Sequence, residues 1–89
     1  MEDIMQALLE DIWNHLSDGQ QKMLLTLASQ VTLRREASDE SPITQTKMLG
    51  FGIEYDLQNL AEKNLVIRNG PTVSFFHESI YEFVCTKFP

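Results

Sequence analysis

The stretch Val73-Ser74-Phe75-Phe76-His77-Glu78-Ser79-Ile80-Tyr81-Glu82-Phe83-Val84 changes character within one residue. β-branched and aromatic residues lead up to His77, and beyond it Ile80, Phe83 and Val84 recur at helical spacing. A strand is therefore expected to hand over directly to a short amphipathic helix. Just before it, Leu57-Gln58-Asn59-Leu60-Ala61-Glu62-Lys63-Asn64-Leu65-Val66-Ile67 reads as a helix that stops and becomes a strand. That helix is expected over 54–63, burying Leu57, Leu60 and Ala61 with Tyr55 or Ile53 nearby, and Asn64 suits the left-handed residue that ends it. The two predicted strands, 65–68 and 72–76, join over Asn69-Gly70-Pro71. This is a hairpin signal weakened only by Pro71, which removes a ladder donor.

Toward the N-terminus, Ile4, Leu8, Ile12 and Leu16, with Met5, Leu9 and Trp13 beside them, form a broad stripe at helical period. Ser17 followed by Gln20 reads as a capping box, so a second helix should start at Asp18 and carry Met23, Leu24, Leu27, Ala28 and Val31 inward. From Thr32 to Pro42 the periodicity dissolves, and an exposed, mobile connection is expected. Ile43 is a candidate edge strand. Thr44 can cap a brief third helix reaching Leu49, which Gly50-Phe51-Gly52 would end.

Eighty-nine residues with 43% apolar content make one small core and leave no room for a second domain. The formal net charge of -6 repels phosphate backbones and anionic lipid. Cys85 is the only cysteine, so no internal disulfide can form and a reducing, cytoplasmic setting is expected. No run approaches the roughly 18 apolar residues that span a bilayer, and no membrane association is expected.

The element order (helix, helix, polar loop, short helix, longer helix, hairpin, helix) is that of a winged helix-turn-helix. The expected fold is thus mainly α within an α+β class, with an extra N-terminal helix and a C-terminal β-hairpin wing followed by a short helix. It should occupy residues 1–89 as one domain cut from a larger protein. A DNA-binding member would place the 54–63 helix in the major groove, but this helix offers Glu54, Asp56 and Glu62 against Lys63. Arg68 and Lys47 are too few to reverse that charge, so DNA is a disfavoured partner, although a small DNA-binding transcriptional regulator is the alternative function.

Nothing points to catalysis. Cys85 lies in an apolar helix without an identifiable base, His15 and His77 show no metal-ligand spacing, and no glycine-rich Lys-Ser or Lys-Thr loop is present. No catalytic residue, metal or cofactor is expected in this chain. His77 stands apart because it falls where helix amides and the helix dipole favour an anion and an imidazole N–H could add a directed donor. The competing reading is a histidine that caps the last helix or fills a gap between Phe76 and Tyr81. Glu78 beside it works against a bare anion.

Residues 73–84, with their apolar-Ser-Phe-apolar-His run and an x-x-apolar-x-Glu-Phe helix, resemble the winged-helix domain of STAND-type ATPases, the NACHT and NB-ARC signalling NTPases. The Leu-x-x-Leu-Ala-x-x-Asn-Leu-Val entry to the hairpin agrees more loosely, and the rest of the chain agrees in element order only. The resemblance implies that His77 reaches the β-phosphate of ADP held by a neighbouring nucleotide-binding domain, of the same or another chain, and so senses ADP/ATP state. One charge-assisted hydrogen bond of roughly 1.5–3 kcal/mol would bias such a two-state closure by tenfold or more. The implied function is a non-catalytic regulatory and interaction module. The helix from Ile4 to Leu16, whose stripe exceeds what a small core covers, is a candidate dimer surface.

Overall fold

The computed structural model describes residues 2–44 and 54–88. Among them the chain forms four helices and a three-stranded antiparallel sheet, an α+β arrangement: α1 (Glu2–His15), α2 (Asp18–Glu36), β1 (Ile43–Thr44), α3 (Glu54–Glu62), β2 (Val66–Asn69), β3 (Thr72–Phe75) and α4 (Glu78–Cys85). None of the described helices is long and apolar enough to cross a membrane. The expected helix after Thr44 and its Gly50-Phe51-Gly52 terminus lie outside the described residues, as does Ile53.

α2 is the element on which the others pack. Its Met23, Leu24, Leu27 and Ala28 are buried completely or nearly so, and they meet Leu57 and Leu60 of α3, Val66 and Val73 of the sheet, and Ile80, Phe83 and Val84 of α4 in one cluster. Burying a Leu side chain stabilises the fold by about 1.5–3 kcal/mol, so this row supplies much of the driving force. The start of α2 is fixed by the capping box: Gln20 N–H donates to Ser17 Oγ (3.2 Å) and Ser17 N–H donates to Gln20 Oε1 (3.0 Å). The amide nitrogen of Gln20 then donates to Asn59 Oδ1 at 2.9 Å, which joins α2 to α3 through a buried polar side chain. The two helices approach closely at Gly19, where an added Cβ would lie 3.2 Å from Asp56 Oδ2.

The end of α2 corrects the sequence reading. Thr32 to Glu36 continue the helix, and the exposed connection is only 37–42. Thr32 is held inside by its hydroxyl, which donates to the Ala28 carbonyl (2.9 Å) and lies 2.8 Å from the Tyr81 hydroxyl. Ser38 takes the left-handed conformation (φ 55°), so that Ser38 N–H bonds to Arg35 O and Asp39 N–H to Arg34 O, the two bonds of a Schellman terminus. Neither Gly nor Asn marks it, so the polar composition there carries no local sign of a helix end. α3 ends the same way with the residue expected: Asn64 has φ 58°, and the N–H groups of Asn64 and Leu65 bond to Ala61 O and Leu60 O.

One further expectation holds and one changes. The α1 stripe splits, with Leu9 and Leu16 buried and Ile12 and Trp13 packed beside them, while Ile4 and Leu8 face solvent. Tyr55 is exposed rather than nearby core, because Leu57 and Leu60 already fill the α3 contact. α1 is held by the edge-on contact of Trp13 with Phe83 (6.2 Å) and by Lys87 Nζ donating to Glu10 Oε1 (2.6 Å).

The strand order is β1-β3-β2, with Ile43 opposite Val73 and Val66 opposite Phe75. Ile43 therefore does form the short edge strand. Asn69 pairs with Thr72, so Gly70 and Pro71 are the two loop residues. Pro71 consequently removes no ladder bond, and Gly70 supplies the positive φ (61°) that a two-residue hairpin loop requires.

Replacing Gln20 with Ala removes half the capping box and the bond to Asn59. It is expected to lower stability by about 1–3 kcal/mol in urea denaturation, whereas Ile4→Ala should change it by less than about 0.5 kcal/mol.

Candidate functional site

His77 lies two residues past β3 and is the N-cap of α4. Its backbone is extended (φ -149°, ψ 150°), as an N-cap requires, and its Nδ1 accepts the Ser79 N–H at 3.1 Å. Ser79 Oγ lies 2.8 Å from the same nitrogen. Accepting from a backbone amide uses the lone pair of Nδ1, so the neutral ring in this arrangement carries its proton on Nε2. His77 is exposed, as is Phe76 before it. The ring thus caps the helix with one nitrogen and keeps a second, proton-bearing nitrogen beyond the cap. The two readings of His77 use different atoms of the ring.

Glu78, the residue set against an anion here, is tied elsewhere. Arg35 donates to both of its carboxylate oxygens, Nη1 to Oε2 at 2.7 Å and Nη2 to Oε1 at 2.6 Å. That side-chain hydrogen bonding holds the Glu78 carboxyl below its ordinary range and raises the already high Arg35. The guanidinium also lies over the Tyr81 ring, 4.3 Å from its centroid, and Tyr81 packs against Phe75 at 5.7 Å. A chain of contacts therefore runs from the last turn of α2 through Arg35 and Tyr81 to the start of α4. The sequence marks neither Arg35 nor Thr32 as part of the site, and Tyr81 only as a neighbour of His77, because their partners are about forty to fifty positions away and no local spacing marks such pairs.

The remaining candidates are ordinary. Cys85 is half-buried against the core. His15 Nδ1 lies 2.8 Å from the Asp11 carbonyl within α1. Among the described residues no group of three or more His, Cys, Asp or Glu side chains could hold a metal ion. On α3, Glu54 accepts from Arg68 Nη2 at 2.8 Å, and Asp56 lies beside the first turn of α2, where its charge suits the helix N-terminus. Comparison with protein-family models, curated proteins and solved structures finds no match.

The Glu78–Arg35 pair predicts a pH dependence with a definite sign. A carboxyl whose folded pKa is depressed contributes stability above its unfolded pKa and loses it as pH falls through the folded value. Glu78→Gln should therefore melt below wild type at pH 7, and the difference between the two melting temperatures should shrink as pH falls below the ordinary glutamate range and wild-type Glu78 takes up its proton.

Proposed function

We propose that this chain is a non-catalytic regulatory module of winged-helix type that packs on a nucleotide-binding domain, of the same or another chain, and reports its ADP/ATP state through His77. The observation that carries this reading is the division of labour in the His77 ring. Nδ1 is occupied by the helix cap, which orients the ring, and Nε2–H is the donor an incoming phosphate oxygen would take. The Arg35 fork on Glu78 supports it by offsetting the negative charge of the residue next to His77. The resemblance of residues 73–84 to the STAND winged-helix stretch supplies the identity of the ligand, an adenine nucleotide diphosphate. Ile4 and Leu8, exposed on α1, are apolar surface that the neighbouring domain or a second protomer would cover.

The DNA-binding alternative draws little support from the same surfaces. Arg68, a basic group beside the hairpin tip, is paired with Glu54, and α3 presents Glu54, Tyr55 and Glu62 to solvent. Each phosphate contact would first have to displace such a pair.

The test uses the native polypeptide that carries this segment, loaded with ADP. Asn is a strong N-cap, so His77→Asn keeps the cap and removes the imidazole donor, whereas His77→Ala removes both. ADP dissociation should accelerate about tenfold or more in both variants, with the melting temperature falling mainly in His77→Ala. If dissociation is unchanged in both, His77 is a helix cap and nothing more.

A further inference from the structure

The connection between α2 and β1 contains Ser41-Pro42, and the chain's other two prolines follow Gly70 and Phe88. Ser41 is thus the only hydroxyl residue directly followed by proline. It is exposed, and proline after it favours the extended backbone that a kinase cleft accepts. Around it the loop is built from specific bonds. Ser41 N–H donates to Asp39 Oδ1 at 2.8 Å, and the Ser41 carbonyl accepts from Arg34 Nε at 3.0 Å. Arg34 in turn is steadied by Gln30, whose Oε1 accepts from Nη1 at 2.7 Å. A guanidinium is therefore fixed against the backbone of the very residue whose hydroxyl is exposed. Both residues line an open groove of about 540 Å³ that also borders Arg35 and the outer face of β2 and β3.

We propose that Ser41 is a phosphorylation site for a proline-directed, ATP-dependent protein kinase, and that Arg34 receives the phosphate. The Ser41 Oγ forms the new bond to the γ-phosphorus of ATP and the bond from that phosphorus to the β–γ bridging oxygen breaks. ADP leaves with the electron pair, and the hydroxyl proton passes to the kinase's catalytic carboxylate. The product places close to two negative charges beside Arg34, whose planar fork suits phosphate oxygens. Asp39 and Glu40 repel that phosphate, so the contact with Arg34 is what gives the modified loop a defined arrangement. The other serines differ in kind: Ser17 and Ser79 are engaged at helix starts, Ser29 is half-buried in α2, Ser74 sits in β3, and Ser38 holds the left-handed terminus of α2.

The experiment incubates the 89-residue chain with Mg-ATP and a mitogen-activated-type proline-directed kinase, and reads site and stoichiometry by mass spectrometry. One phosphoryl group on Ser41 is expected, and it is lost in Ser41→Ala and in Pro42→Ala. The phosphorus-31 shift of the product is then titrated. Its second ionisation should fall about half a pH unit lower in the wild-type background than in Arg34→Gln, the acidic neighbours being common to both. No incorporation, incorporation at another residue, or persistence in Pro42→Ala overturns the site. Identical titration midpoints overturn the role of Arg34.

Discussion

A buried amide at the start of α2 sets the geometry on which the remaining elements depend. Gln20 accepts from the Ser17 backbone and donates to Asn59. A polar side chain that far from solvent is tolerated only when its bonding capacity is met, and among the described residues no buried side-chain polar atom lacks a partner. The same group therefore decides where α2 begins and how α3 lies against it. With those two helices fixed, Leu57 and Leu60 fall onto Met23, Leu24 and Leu27, and Asn64 turns the chain into β2 at a defined point. The hairpin and α4 are positioned by that turn, so the place of His77 follows from a bond made at the opposite end of the fold.

At the far end of α2 a second polar link does comparable work on the surface. Arg35 holds Glu78 with two bonds and covers Tyr81, whose hydroxyl meets Thr32. Exposed ion pairs contribute little on their own, but a two-bond guanidinium contact supported by an aromatic ring restricts direction as well as distance. The first turn of α4 is thereby tied to α2, and His77 at its cap is presented from a braced position. That bracing matters for the proposed sensor role, since a donor must be oriented before a single hydrogen bond can bias a conformational equilibrium.

Much of the architecture was legible because it is written locally. Ser17 and Gln20 marked the start of α2, Asn64 the end of α3, and Ile80, Phe83 and Val84 the inward face of α4. What failed to show was written at a distance or in an uncommon residue. Ser38 occupies a left-handed position that Gly or Asn usually fills, so α2 was expected to end several residues early. The breadth of the α1 stripe, by contrast, already exceeded what a small core covers, and Ile4 and Leu8 are the part left outside it. The candidate site divides similarly: His77 was found from the break in pattern around it, whereas Arg35 became visible only when the fold brought it to Glu78. Pro71 was counted against the hairpin, and the observed register places it in the turn instead.

The two residues of β1 have a consequence for how the sheet opens. β2 and β3 are joined by a turn of two residues, so their pairing closes almost no loop. Ile43 meets Val73 only after most of the intervening chain has been brought round, and loop-closure entropy rises with that separation. β1 adds few bonds in return. The β1–β3 ladder is therefore the least costly part of the sheet to release, and its release bares the edge of β3, a strand carrying Val73 and Phe75 with unpaired backbone groups. A two-residue strand thus acts as the cover on one edge of β3.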